Sequence, residues 1–292
     1  MTLEDLIYQR LIQDATLAGA LARYHSAPAV FYQTAPDDTA AGWQQRKQYP
    51  RIDYVVDYIS NPERKTSGLM TLNLLSTEDG LPPEELEPTV RSLLCGVFLC
   101  PTEDVPYCMA WARSDAFDQQ AKSGGLITGI TIQFDVFAFP SQISADPDPV
   151  LAMNHFIETA HWNAEIIGGK KTTDQVFIPT KTHPAFYFRL ETMQLNRETN
   201  TVAWMDATIA CHIFAGGHEI EWLKALTDRL ALAGEVTMLD GSPMFLRNIK
   251  ADSTMNALST GQIRLFAHFG LLRRPAYSHP LLHPQTQFQS LT

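Results

Sequence analysis

The sequence predicts an α+β fold: two similar domains in tandem, each a mainly antiparallel β-sheet flanked by two helices. Three observations lead there. Apolar residues recur at helical spacing in four stretches, β-rich runs come in pairs joined by short polar connections, and the order of these elements in residues 1–147 repeats in residues 148–275 at an offset of about 130 to 137 residues. At 292 residues the chain is long enough for two domains, each able to bury its own core.

In the first half, Thr2 can cap a helix with Asp5 three residues on, and Leu3, Leu6, Ile7, Leu11, Leu17 and Leu21 carry it to about residues 24–28. A short apolar run, residues 29–32, leads into a polar loop over residues 33–49, whose length marks it for function. Two strands follow at residues 51–60 and 69–76. Met70, Leu72 and Leu74 alternate with Thr71 and Asn73, and residues 61–68 form the polar tip of this hairpin. Pro82 and Pro83, with Glu84, Glu85 and Glu87, open a second helix with an apolar face of Leu86, Val90, Leu93 and Leu94. Strands at residues 107–114 and 126–139 close the half.

The run Asp146-Pro147-Asp148-Pro149 reads as a linker, and its prolines explain the two aspartates better than calcium binding does. After it Val150, Met153, Phe156, Ile157 and Ala160 predict a helix that starts with a proline in its first turn. A polar loop at residues 168–173 precedes strands at 184–191 and 202–214, with residues 196–200 between them. Ile220, Leu223, Leu226 and Leu230 predict a helix over residues 219–232 with Gly234 as its stop, and strands at 244–253 and 262–269 follow. Residues 276–292, rich in Pro, His, Gln and Ser, predict an extended arm.

A formal net charge of −10 argues against gripping DNA through its phosphates, which takes clustered Lys and Arg. No run offers the roughly 20 apolar residues of a membrane helix. The acidic start, with Glu4 and Asp5, is unlike a signal peptide, so the expectation is a chain that stays in the cytoplasm and meets no membrane. Cys95, Cys100, Cys108 and Cys211 form no C-x-x-C pair and read as buried reduced thiols. The run from Gly168 to Thr173 resembles a phosphate loop only superficially, because Ala164 stands where the pattern needs its first glycine and a helix precedes it. His155, Glu158 and His161 spread over about 120° of a helix surface, a poor zinc site. His279 and His283 sit in the arm without a preorganised partner. No nucleophile elbow is present, so no catalytic residue, cofactor or metal is expected. Tyr54, Tyr58, Phe134, Phe137, Phe186, Tyr187, Phe188 and Phe266 read as sheet-core packing. Contact chemistry is expected on loops 33–49, 61–68, 118–125 and 196–200, through Asp37, Asp38, Trp43, Arg46, Lys47, Arg64, Lys65, Lys122, Arg197 and Glu198.

The order helix, hairpin, helix, two strands, with the start Leu3-Glu4-Asp5-Leu6-Ile7-Tyr8-Gln9-Arg10-Leu11 and the later run Thr131-Ile132-Gln133-Phe134-Asp135-Val136-Phe137-Ala138, resembles the tail terminator (tail completion) proteins of tailed bacteriophages. The resemblance covers each half separately and rests on a pattern rather than a diagnostic motif. A single-domain member would be about half this length, so the apparent duplication is a departure. The resemblance implies a non-enzymatic virion protein, assembled in the host cytoplasm, that forms a homo-oligomeric ring on the tail tube and joins it to the neck or head-completion protein. DNA would pass through its centre without specific binding. The ring would be a hexamer, or a trimer with pseudo-sixfold symmetry. A neck adaptor, a baseplate subunit and a small-molecule enzyme of unrecognised type are the alternatives.

Overall fold

The structure of the chain is a computed structural model that describes residues 1–58, 66–78, 80–120, 125–142, 147–160, 162–169 and 174–273. The expected arm at 276–292, the basic residues Arg64, Lys65 and Lys122, and His161 lie outside the described residues.

Helix α1 (Leu3–Gln13) starts as the sequence predicts. Thr2 Oγ1 accepts the Asp5 amide at 3.2 Å, and the Asp5 carboxylate accepts the Thr2 amide at 2.9 Å. Leu3, Leu6, Ile7 and Leu11 are buried, each contributing about 1.5–3 kcal/mol of apolar transfer. The helix does not continue to residues 24–28. Asp14 leaves helical geometry and its carboxylate caps the Leu17 amide, so a second helix, α2 (Ala15–Ala20), follows, and Leu17 and Leu21 still reach the same core. A small hairpin of β1 (Arg23–Tyr24) and β2 (Ala27–Pro28) comes next.

Strand β3 (Val30–Tyr32) lies parallel to β4 (Arg51–Asp57), which pairs antiparallel with β5 (Gly68–Thr77). After α3 (Pro83–Leu94) come β6 (Phe98–Leu99), β7 (Tyr107–Gln120) and β8 (Leu126–Ala138). Strand β8 lies between β5 and β7, and β6 pairs with β7, all antiparallel. Helices α1, α2 and α3, three rather than the expected two, cover one face of this sheet. Their leucines pack there on Ile52, Tyr54, Met70, Leu72, Ile132 and Phe134.

Helix α4 (Pro149–Thr159) is capped by Asp148, whose carboxylate accepts the amides of Val150 at 2.8 Å and Leu151 at 2.9 Å. It is followed by β9 (Glu165–Ile166), β10 (Val176–Phe177), β11 (Ala185–Glu198), β12 (Val202–Phe214), α5 (Glu219–Ala233), β13 (Glu235–Thr237), β14 (Pro243–Ala251) and β15 (Ile263–Leu272). Among the described residues the second sheet has six strands, ordered β13-β14-β15-β12-β11-β9, with β9 parallel to β11 and the other neighbours antiparallel. Helices α4 and α5 cover one face of it through Val150, Met153, Ile157, Leu226 and Leu230. Gly234 ends α5 at φ 68, a left-handed position that suits glycine.

Strand β10 does not join the second sheet. It pairs with β6, Val176 opposite Leu99 and Phe177 opposite Phe98, and becomes the seventh strand of the first. Around this joint the two sheets share a core of Phe98, Cys108, Phe137, Phe139, Tyr187 and Phe214. Three of the four cysteines are buried and Cys95 is half-buried.

Strands β7 and β11 run well beyond the expected 107–114 and 184–191. Their distal ends hydrogen-bond to β8 and β12 but are largely exposed, and in β11 every residue from 192 to 198 is exposed. Tyr58 and Phe266 are not core residues. Tyr58 is exposed and donates its hydroxyl to Glu4, and Phe266 lies half-buried beneath the Lys250 ammonium on the face away from the helices.

Candidate subunit-contact surfaces

Each sheet has one face covered by helices and one that is open. On β12, Ile209, Cys211 and Ile213 point into the helix-covered core, so Trp204, Asp206, Thr208, Ala210 and His212 lie on the open face by strand alternation. Strand β15 adds Arg264, Phe266 and His268 to that face, opposite Ala210, Thr208 and Asp206.

Near the joint between the sheets, His212 is 2% exposed. Its Nδ1–H donates to the Ala257 carbonyl at 2.6 Å, which leaves Nε2 to accept the Arg189 Nε–H at 3.1 Å. Burial pushes its pKa down to about 4, so the ring is neutral at neutral pH, as the hydrogen-bond pattern requires. Arg189 also reaches the Ser259 and Thr260 carbonyls. The Glu191 carboxylate bridges Arg189 at 3.2 Å and Arg264 at 2.9 Å.

Farther along the same face lies a cleft of about 550 Å³ lined by Asn196, Arg197, Trp204, Asp206, Arg247 and His268. His268 stacks on Trp204 with ring centroids 5.1 Å apart and planes 2° from parallel, and its Nδ1–H donates to Asp206 at 2.7 Å. The Asn196 amide donates to the other Asp206 oxygen, and these two donors hold the Asp206 carboxyl below the usual carboxylate range. With Asp206 occupied, Arg197 and Arg247 give the cleft its cationic character. Neither has a hydrogen-bonded carboxylate partner among the described residues.

The open face of the first sheet is more acidic. The row Asp53, Asn73, Thr131 and Asp115 crosses β4, β5, β8 and β7. Burial raises the Asp53 carboxyl, partly opposed by Arg51, and its Oδ1 is buried without a hydrogen bond among the described residues. Arg51 pairs with Asp38 at 2.7 Å and stacks on the Tyr49 ring.

The loop-borne contact residues divide as follows. Loop 33–49 is folded against its own half rather than free: Trp43 is 6% exposed, packs among Ala22, Ala29, Tyr24 and Phe31, and donates its Nε1–H to the Asp37 carbonyl at 3.0 Å. Trp43 is therefore a local core anchor, contrary to its expected contact role; a large ring gains more from burial than from water. The Asp37 carboxylate accepts the Thr39 amide and hydroxyl, and Asp38 is engaged by Arg51. Arg46 and Lys47 are exposed at a turn where Gln45 and Arg46 have positive φ. Arg197 and Glu198 sit at the exposed end of β11, where Glu198 pairs with Arg273. Of the described members of the expected set, Arg197 is the one that lines this cleft; Arg247 and His268, which line it too, lie outside the expected loops.

Among the described residues no group of three or more His, Cys, Asp and Glu side chains is placed to hold a metal, and His155 contacts Glu158 at 3.4 Å on an exposed helix face. Burial pushes the Cys100 and Cys108 thiols up to about 12 and raises Cys211 as well, so all three are protonated at neutral pH. Among the described residues no helix is long and apolar enough to cross a membrane. No protein-family model and no curated protein matches the chain.

Proposed function

We propose that this chain is a tail terminator of a tailed bacteriophage, a non-catalytic ring subunit that caps the tail tube, joins it to the neck and leaves a central channel for DNA. The observation that carries the reading is the strand order of the two sheets. With α1 and α2 taken together, and with the β1-β2 hairpin and β10 set aside, the remaining strands of each half run three before the later helix (β3, β4, β5; β9, β11, β12) and three after it, and they lie as β6-β7-β8-β5-β4-β3 and β13-β14-β15-β12-β11-β9. Among the described residues the one parallel strand pair falls at the same margin in each, β3 with β4 and β9 with β11. Such correspondence supports one module copied in tandem, as domains 1–147 and 148–275, over two sheets that arose separately.

Two copies of a subunit-joining module suit a ring, in which three chains imitate six subunits or six chains close the circle. Sheet ends that extend past their helices, with Met193 and Leu195 about half exposed, offer surface for neighbours and for the tube. A net charge of −10 lets DNA slide past without adhering. The test is native mass measurement with class-averaged electron micrographs of the purified chain, alone and with tube subunits. Closed rings are expected. A particle that stays monomeric across a wide concentration range, tube subunits included, refutes the reading.

A further inference from the structure

Within one chain the two sheets meet through their open faces, and each half uses a different part of its module. The first half contributes β6, the start of β7 and the end of β8, with Cys108 opposite Phe137. The second contributes the starts of β11 and the end of β12, with Ala185 opposite Phe214 and Tyr187 opposite His212. Each half therefore has an unused counterpart of what the other supplies. In the second half this is β13, the start of β14 and the end of β15, where Phe245 opposite His268 takes the place of Cys108 opposite Phe137. In the first half it is the start of β4 and the end of β5, where Arg51 opposite Leu75 and Asp53 opposite Asn73 take the place of Ala185 with Phe214 and Tyr187 with His212.

The two unused surfaces differ chemically in a complementary way. The first carries the cleft in which two guanidiniums, Arg197 and Arg247, stand against one carboxylate, Asp206, which leaves it net cationic. The second carries three aspartates against two arginines: Asp38 pairs with Arg51 at 2.7 Å, the exposed Asp115 pairs with Arg113 at 3.3 Å, and Asp53 keeps a buried oxygen without a hydrogen bond among the described residues, which leaves the face net acidic. The geometry points to head-to-tail association of copies of this chain, in which the cationic cleft of one copy's second sheet seats on the acidic open face of the next copy's first sheet. The contact between copies then repeats, in charged form, the apolar contact already made within each chain. Because donor and acceptor surfaces differ, the arrangement is heterologous and closes into a ring when the rotation permits. This rests on the duplicated-module reading above and specifies its interface.

The test uses charge reversal in the full chain. Arg197→Glu with Arg247→Glu reverses the cleft, and Asp38→Lys with Asp115→Lys reverses the acidic face; far-UV circular dichroism and Tm establish that each still folds, and Asp38→Asn with Asp115→Asn is the milder substitute. In native mass spectrometry each reversed variant alone loses the assembly and runs at the single-chain mass of 32.7 kDa. Mixed in equal amounts they reassemble, because each reversed surface now meets an opposite one, but only in alternation. A six-copy ring is therefore restored and a three-copy ring cannot close, so a wild-type trimer gives even-numbered species in the mixture. Folded variants that assemble like the wild type overturn this interface while leaving the ring reading standing. A wild-type chain that never associates overturns both. A monomeric wild type that binds inorganic phosphate, and loses it in Arg197→Glu with Arg247→Glu, overturns the interface in favour of a ligand site.

Discussion

Protonation of His212 should be among the events that unfold the second sheet in mild acid. In the folded chain its ring is buried, neutral and committed at both nitrogens, with a pKa pushed down to about 4 from the ordinary 6.5. The unfolded chain takes up the proton near 6.5, so between there and about 4 the unfolded state binds one more proton than the native state. Stability therefore falls as pH falls through that window, and the contribution is fully present only above the unfolded pKa. A depression of this size corresponds to about 3 kcal/mol, lost between pH 7 and pH 4. The perturbation is His212→Gln, whose amide can still donate to the Ala257 carbonyl and accept from Arg189 but cannot be protonated. Imperfect hydrogen bonds should cost the variant about 1–2 kcal/mol at pH 7. Urea unfolding at pH 7, 6, 5 and 4.5 should show the gap between wild type and variant narrowing or reversing as pH falls, because only the wild type carries the His212 contribution. Carboxylates that titrate in both proteins cancel in the difference. A gap that stays constant with pH would refute the buried-neutral assignment.

Three further outcomes follow from the packing. Gln262, buried between β12 and β15, accepts the Ile213 amide and donates to the Ile213 carbonyl, both at 2.9 Å; Gln262→Leu leaves both backbone groups without a partner and should cost about 2–4 kcal/mol in urea unfolding. Gly234→Ala meets no atom within 4 Å of the added Cβ, so its loss should be the left-handed backbone penalty alone, about 1 kcal/mol in thermal unfolding. Cys100, Cys108 and Cys211 are buried and held protonated, so a chromogenic disulfide reagent at pH 8 should label at most Cys95 quickly, with the other three reacting after denaturation.

What could be read in advance depended on how local its cause was. The reciprocal cap of Thr2 and Asp5, the alternation of Met70, Leu72 and Leu74, and Gly234 as a helix stop are decided by neighbours in sequence, and they fall where the pattern puts them. The break at Asp14 was hidden because Leu17 and Leu21 continue the apolar spacing, while the deciding event is one carboxylate capturing the Leu17 amide. The outer parts of β7 and β11 were invisible as strands because exposure on both sides removes the period of two. Strands as short as β9 and β10 have no period to detect. Trp43 was placed on a contact surface because the loop is polar, yet its ring found a pocket of its own beside Tyr24 and Phe31. The cleft of Arg197, Arg247 and His268 brings together residues from three strands, and His268 bonds to Asp206 62 positions away. The one sequence signal for it was the alternation of His268 with Ala267 and Phe269, which marks a polar side chain on the bare face of a half-covered strand.

Strand β10 also decides what happens to the chain if it is cut or shortened. Its two residues lie beyond α4, yet they finish the edge of the first sheet and shield Phe98. Were the backbone severed between residues 142 and 147, the pieces would stay clasped until denaturant separated them. A truncated product ending at residue 142 would bare an unpaired edge beside the Phe98, Phe137 and Phe139 rings, a sticky combination that invites precipitation. The N-terminal portion is thus unsuited to life as a separate polypeptide, whatever the history of its design.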